Sequence, residues 1–571
     1  MTFGVLALAA AHQRGERTVG STVEEVLAAC AAHADPAVWI SRVDDRALRA
    51  RAAQLDAGPR DLPLLGVPFA VKDNLDVAGM PTTAACPGVA SIAEHSAFVV
   101  QRLLDAGAVL VGKTNMDQFA TGLVGTRSPH GAPRSVVDPE RVSGGSSSGS
   151  GVAVAAGLVA FALGTDTAGS GRVPAAFNGI LGLKPTLGRL STSGLLPACR
   201  SLDCASVFAR DAADAAAVLA VVDGFDAADP FARRAPATSP GAPDGAVLGV
   251  PRAEDLEALE DGAVRDAWRA TVARAALAAD EVVEVDVAPF LQAARLLYEG
   301  PWLAERYAAF GAWLEDPDVA CDPTVEAIVL GGRDLRASDL FRAQERLAAL
   351  RRATEPVWSR VSALVLPTAP CHPTFDEVAA DPVGVNARLG TYTNFVNLLD
   401  LAAVAVPGAA RVDGLPFGAT LVGPAWSDER LLGLAGRLER AGTETLDVAV
   451  VGAHLHGMAR NGELLDAGAQ LVGAVRTAPA YRLFDLADGT GRPGLVRDEA
   501  AGAAIEAEVW RLPSAAVGSF LAGVRAPLAI GTLELEDGRA VHGFLCEAHA
   551  VADAVDVTAS GGWRHHVAAL A

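Results

Sequence analysis

One lysine and a set of serines have the residue types and settings to do chemistry together. Lys72 closes the apolar run GVPFAVK, the loop SGGSSSGSG spans residues 143–151, and GTDTAGSGRVPAAFNG spans residues 164–179. A serine hydroxyl attacks a carbonyl poorly until a neighbouring base takes its proton. Lysine can be that base when burial drives its pKa towards neutrality, and a strand end beneath glycine loops supplies such burial. Where the lysine and the nucleophile are too far apart to touch, a second serine can relay the proton, and small residues let the backbones approach. The stretch Thr167-Ala168-Gly169-Ser170 falls between an expected strand and an expected helix start, so its successive amides can converge on a developing oxyanion.

Taken singly, a strand-end lysine reads as a solvated charge and a Gly/Ser run as a surface loop; it is their co-occurrence that points to a hydrolase. Asp166 and Arg172 flank the loop and are expected to form an ion pair that holds it, since arginine stays charged and is a poor base. Gly145-Ser146-Ser147-Ser148-Gly149 also fits the G-x-S-x-G elbow centred on Ser147. That motif needs a strand before it, and the preceding RSPHGAPRSVVDPERV is loop-like.

The lysine, the GGSSSGS loop and the DTAGSGRVPAAFNG block, in that order and spacing, resemble the amidase signature family over most of residues 20–440. The resemblance implies a Ser–cis-Ser–Lys triad: Ser170 as nucleophile, Ser146 as bridging serine and Lys72 as base. The amides of Thr167, Ala168, Gly169 and Ser170 would form the oxyanion hole. Three further stretches, GKTNMDQFATGLVGTRSPHGAP (112–133), LLYEGPWLAERYAAF (296–310) and ARLGTYTNFVNLLDLAAVAVPG (387–408), resemble allophanate hydrolases. That likeness implies substrate contacts from Gly122, Tyr298 and Arg306, and a small planar anionic substrate whose carboxylate suits a guanidinium fork. His372 departs from the family pattern and is assigned no role.

The elements that must position these groups follow from the patterning. Helical periodicity fills the first sixty residues. Short apolar runs alternating with Gly/Ser loops from Leu65 to about Pro197 indicate an α/β sheet. The segment 205–355 reads as mostly helical, and SALVLPTAP, AAVAVPGAA and GLPFGATLVGPAW read as further buried strands. The expected architecture is an α/β domain over 1–440, with a mixed sheet covered by helices. A linker at 441–446 and a small α+β domain over 447–571 follow. The latter resembles the C-terminal domain of allophanate hydrolases, similar in fold to γ-glutamyl cyclotransferases. The likeness implies a second step there, with His454, Arg497, Glu506 and Arg564 as candidates for binding carboxylates or moving protons, set against an equal expectation that they tie strands together.

Half of the 571 residues are apolar and a fifth are charged, as in globular chains with large cores. The net charge of −21 argues against nucleic acid or an anionic membrane as a partner but leaves room for a local cationic site. Seven scattered cysteines and no Cys-x-x-Cys suggest neither zinc nor disulfides, and the start lacks a secretory pattern, so a cytoplasmic location is expected. A homodimer is expected as well. No metal and no organic cofactor is expected. The resemblance implies a separate biotin-dependent urea carboxylase as supplier of substrate. An amidase acting on another small or biuret-like amide, and a non-catalytic scaffold, stand as alternatives.

Overall fold

Runs of Val, Leu, Ala and Phe, too short for helices and bounded by glycine loops, become strands buried on both faces. The computed structural model describes residues 4–237, 245–259, 261–441, 445–486 and 491–570. The chain forms two compact units: Met1–Asp261 with Ala279–Pro407 and Pro416–Gly436, and Gly262–Ala278 with Gly408–Leu415 and Arg437–Ala571.

The first unit is built on an eleven-stranded sheet. Its strands are β1 (Trp39–Arg42), β2 (Pro68–Lys72), β3 (Val109–Thr114), β4 (Phe161–Thr165), β5 (Leu181–Lys184), β6 (Ala205–Ala209), β7 (Val247–Pro251), β8 (Glu281–Val285), β9 (Ala363–Pro367), β10 (Leu401–Pro407) and β11 (Gly418–Pro424). Their spatial order is β1-β3-β2-β4-β6-β5-β10-β11-β9-β7-β8. The pairs β2/β3 and β2/β4 are parallel, whereas β4/β6, β5/β6 and β5/β10 are antiparallel, so the sheet is mixed as expected. The segment 205–355 contributes β6, β7 and β8 between its helices and is thus less helical than its composition suggests.

Helices Val5–Gln13, Val19–Ala32 and Asp45–Asp56 form the N-terminal region, the first apolar nearly all round; the second is capped by the Thr18 hydroxyl, which accepts from the Ser21 amide. The apolar stretch 152–163 is divided between the buried helix Ser148–Ala155 and β4. That helix begins inside the serine loop and packs closely because it is rich in Gly: a Cβ at Gly149 would lie 2.3 Å from the Val38 carbonyl oxygen.

The second unit contains strands β12 (Thr445–Val450), β13 (Gln470–Arg476), β14 (Tyr481–Asp485), β15 (Pro493–Arg497), β16 (Glu506–Pro513), β17 (Leu528–Glu534), β18 (Ala540–Cys546) and β19 (Val555–Asp556). They form a five-stranded sheet in the order β13-β16-β12-β18-β17 and a three-stranded one in the order β15-β14-β19. Their core includes the fully buried Trp510 and Tyr481. The unit also takes in the helix Gly262–Ala278 and residues 408–415, which precede the contiguous boundary expected at 447. Of the expected linker 441–446, residues 442–444 lie outside the described residues. No described helix is long and apolar enough to cross a membrane.

Gly182 shows how tightly the sheet holds the loop that follows β4: a Cβ there would lie 2.2 Å from the Gly171 carbonyl oxygen and 2.7 Å from Ala175 Cβ. Gly182→Val is expected to lower stability by about 1–3 kcal/mol through overpacking; the check is the urea midpoint, which should fall.

Candidate active site

Three elements deliver the chemical groups to one buried place. β2 ends at Lys72, β4 ends at Thr165 beside it, and the serine loop runs into the helix Ser148–Ala155. Parallel pairing of β2 with β4 sets the two strand ends side by side. Lys72 Nζ lies 2.7 Å from Ser146 Oγ and 2.7 Å from Thr165 Oγ1, with no exposed surface on either Lys72 or Ser146. The Gly145–Ser146 peptide is cis. Ser147, the centre of the rejected elbow motif, donates its hydroxyl to the Thr165 carbonyl at 3.1 Å.

Burial is the largest influence on Lys72 and brings its pKa down to about 7. The negative charges of Asp117, Asp203 and Asp166 oppose that fall, while Arg306 adds to it. Asp117 braces the serine loop. Its own amide donates to the Ser146 carbonyl at 3.1 Å, and its carboxylate accepts the amides of Gly125 at 3.0 Å and Arg127 at 2.9 Å. A Cβ at Gly145 or Gly122 would collide with Asp117 Oδ2, so both glycines are required by the close approach of this side chain.

Ser170 sits in the buried loop between β4 and the helix Val173–Phe177. Among the described residues no protein group hydrogen-bonds its hydroxyl, and the Ser146 hydroxyl is engaged by Lys72. Asp166 organises the loop: it accepts the Gly169 amide at 2.7 Å, the Gly171 amide at 3.1 Å, and Arg172 Nε and Nη2 at 2.9 and 3.0 Å. Burial alone would raise its pKa, but the Arg172 charge and these bonds hold it below the ordinary carboxylate value. Arg172 also reaches the Thr393 carbonyl at 3.1 Å.

The expected ion pair is therefore present, and it modifies the expected set of oxyanion donors. The Gly169 amide is committed to Asp166, whereas the amides of Thr167, Ala168 and Ser170 have no acceptor among the described residues. Gly169 has φ +131°, a left-handed value, and a Cβ on it would lie 2.5 Å from Thr393 Oγ1. The position demands glycine for conformation and for space. The Thr167 hydroxyl donates to Asp203 Oδ1 at 2.6 Å, and burial raises the Asp203 carboxyl to about 6.

Tyr298 and Arg306 lie on successive helices, Ala288–Glu299 and Leu303–Leu314, broken at 300–302. Arg306 is buried and donates Nη1 to Thr121 Oγ1 at 2.9 Å, next to Gly122; among the described residues it has no carboxylate within ion-pair distance. Tyr298 instead lines a cavity of about 610 Å³ together with Asn394, Thr391, Arg295 and Arg346. His372 stacks on Phe177 with ring centroids 4.0 Å apart, and its Nε2 lies 2.9 Å from the Val142 carbonyl oxygen, a packing role.

In the second unit, Arg564 Nη1 reaches Glu506 Oε1 at 3.0 Å and Nη2 reaches Glu508 Oε1 at 2.7 Å and the His456 carbonyl at 2.7 Å. His454 lies apart from this cluster. Its Nε2 meets Glu463 Oε2 at 3.0 Å, its ring stacks on Phe544, and burial lowers its pKa. It borders a cavity of about 30 Å³ with Arg460, Arg492 and Phe544. The partly exposed Arg497 pairs with Glu534 and Glu499, each at 3.2 Å.

Sequence reasoning missed Thr165, Asp203, Thr121, Asp117 and Glu463. Asp117 and Thr121 lie inside the family-like stretch 112–133 and Thr165 inside the block 164–179, so each had a signal nearby, whereas Asp203 and Glu463 lie in no such stretch. Removing the guanidinium beside Asp166 would strand a buried carboxylate, so Arg172→Met is expected to cost about 3–5 kcal/mol. Urea unfolding of the variant is the check.

Comparison with known proteins gives three findings. Residues 21–432 match the family described as Amidase, and residues 446–568 match the one described as Allophanate hydrolase C-terminal domain. The urea amidolyases of Lachancea kluyveri and Saccharomyces cerevisiae are 40% and 41% identical over 93% and 88% of this chain. The chain spans only 31% and 29% of their lengths. A solved Kluyveromyces lactis allophanate hydrolase is 38% identical, with TM-score 0.71 and 98% of each chain covered.

Proposed function

The chain belongs to the amidase family, and on that premise we propose that it hydrolyses allophanate through Ser170, Ser146 and Lys72. The observation that carries the reading is the fully buried Lys72 amine 2.7 Å from Ser146 Oγ, near neutrality at physiological pH. A neutral amine has a lone pair, so the bond can reverse, with the Ser146 hydroxyl donating to Lys72 and itself accepting from Ser170.

Ser170 Oγ attacks the terminal amide carbonyl while its proton passes through Ser146 to Lys72. The oxyanion is received by the unpartnered amides of Thr167, Ala168 and Ser170, with Gly169 holding the loop through Asp166. Collapse returns the proton to the departing nitrogen and releases ammonia. Water then cleaves the acyl-enzyme by the same relay, leaving a dicarboxylated amine. Arg306 is the group we assign to the substrate carboxylate, since a buried guanidinium without a carboxylate partner favours an anionic ligand. Gly122, next to Thr121, completes the proposed contacts around Arg306, and the contact that the family likeness implies for Tyr298 would be made from the cavity it lines.

We propose an amidase domain over 1–440 and a second domain over 447–571, similar in fold to γ-glutamyl cyclotransferases, whose compact unit also takes in the helix Gly262–Ala278 and residues 408–415. Breakdown of the dicarboxylated amine to carbon dioxide and ammonia is assigned to the second domain. Within it, His454 beside its small cavity is the strongest candidate. The closed network of Arg564 with Glu506 and Glu508, and the surface pairing of Arg497, favour structural roles. The setting we propose is a cytoplasmic homodimer supplied with allophanate by a biotin-dependent urea carboxylase. The urea amidolyases matched above are consistent with that link.

Ammonia release from allophanate by wild type and Ser170→Ala is the primary test: the variant should lose at least about 1,000-fold in kcat. Wild-type hydrolysis of uncharged or biuret-like amides in preference to allophanate would favour a different small amide as substrate. Absence of a fluorophosphonate adduct at Ser170 would favour a scaffold. Because only neutral Lys72 can accept the proton, kcat/KM should rise with pH through about 7 and level off above it. Arg306→Ala should raise KM for allophanate by about tenfold or more while leaving fluorophosphonate labelling of Ser170 intact.

A further inference from the structure

The turn Ala198–Asp203 lies outside every motif that pointed to chemistry, yet it bonds to both halves of the proposed site. On one side, the buried Asp203 carboxylate accepts the Thr167 hydroxyl at 2.6 Å through Oδ1. Its Oδ2 accepts the amides of Ala198 at 2.7 Å and Cys199 at 3.0 Å. Asp203 is therefore the hub of the turn and its tie to the loop carrying Ser170. On the other side, Glu305, the neighbour of Arg306 in the helix Leu303–Leu314, accepts the Ser201 amide and hydroxyl, each at 2.7 Å. The Cys199 thiol lies 3.4 Å from Glu305 Oε2 and 3.7 Å from the Trp302 carbonyl oxygen. A third tie comes from Asn397, whose Nδ2 donates to the carbonyls of Asp166 at 2.7 Å and Leu202 at 2.9 Å.

We infer that this turn is the positioning element that sets the oxyanion loop in register with the Arg306 helix, through Asp203 and Thr167 on one side and Glu305 on the other. The inference rests on the roles proposed above for Ser170 and Arg306. Physically, an oxyanion hole works only if its amides already point at the developing charge. Thr167 has a free amide and a tethered side chain: with its hydroxyl locked on Asp203, rotation of the residue, and with it the direction of that amide, is restrained. Arg306 must hold the substrate carboxylate at a fixed distance from Ser170 Oγ, and its helix is tied to the same turn. Asp203 and Glu305 are thus positioning residues, acting through Thr167 and Arg306.

The test is steady-state kinetics on the full chain with allophanate for Thr167→Val, Thr167→Ser, Glu305→Ala and, as control, Ser170→Ala. Thr167→Val, which keeps volume and loses the hydroxyl, should lower kcat about 100-fold with KM within about twofold, and Thr167→Ser should restore kcat to within about threefold of wild type. Glu305→Ala should raise KM about tenfold with kcat within about threefold. A Thr167→Val enzyme with kcat within about threefold of wild type, or a Thr167→Ser enzyme as slow as Thr167→Val, would overturn the inference. Should Thr167→Val fail to fold, an unchanged KM in Glu305→Ala overturns it alone, and the tenfold rise sustains it. Full activity in Ser170→Ala would instead sink the nucleophile assignment, so the two failures are told apart.

Discussion

Everything at the proposed centre depends on keeping one amine dry. An ammonium at Lys72 would have to be stripped of water with no carboxylate in hydrogen-bonding contact, and the cost of doing so is what draws its pKa down to about 7. The surrounding acids temper that effect, and Arg306 reinforces it. Hydroxyls at Ser146 and Thr165 satisfy the amine without fixing its charge, which carboxylates would do. The lowered pKa of this amine is thus a product of burial, and burial is a product of the parallel pair β2/β4 under the serine loop.

The rest of the first unit can be read as the supports of that arrangement. Asp117 holds the loop that presents Ser146. Asp166 with Arg172 holds the loop that presents Ser170, and the arginine extends the tie to the Thr393 carbonyl and hence to the segment leading into β10. Each brace is a buried charge satisfied by backbone amides or a bidentate partner, the form in which buried ionic groups are tolerated. Glycines at 122 and 145 are the geometric counterpart, since a side chain at either would displace Asp117, and one at 169 would collide with Thr393.

How much of this was legible in the sequence depended on how local the chemistry is. Lys72, the serine loop and the 166–171 loop are contiguous motifs, and the strand–loop–helix setting of each follows from apolar runs bounded by glycine. The mixed α/β class followed from the same alternation. Thr165 is 93 residues from Lys72, Asp203 is 36 from Thr167 and Thr121 is 185 from Arg306, so nothing in the local pattern links them. The Gly169 amide illustrates the other limit: its position in the loop was legible, but its commitment to Asp166 depends on a side-chain rotamer. Strands β6–β8 were submerged in an Ala-rich helical background because their runs of five residues are brief. The family likeness groups Tyr298 with Arg306 as substrate contacts, and the break at 300–302 places them on two successive helices.

The helix Gly262–Ala278 belongs to the second unit although more than a third of the chain lies between its start and Asp466, which it meets there. Arg269 pairs with Asp466, and Thr271 and Arg274 hold the 408–415 segment through the Ala409 amide and the Gly408 carbonyl. A chimaera spliced near residue 445 would therefore not exchange one self-contained module for another. It would bring a foreign partner to a helix whose surface was shaped for the original one. Recombination between relatives should accordingly succeed more often when this helix and the downstream unit are inherited together, so that in heredity, as in packing, two distant stretches of the gene behave as one.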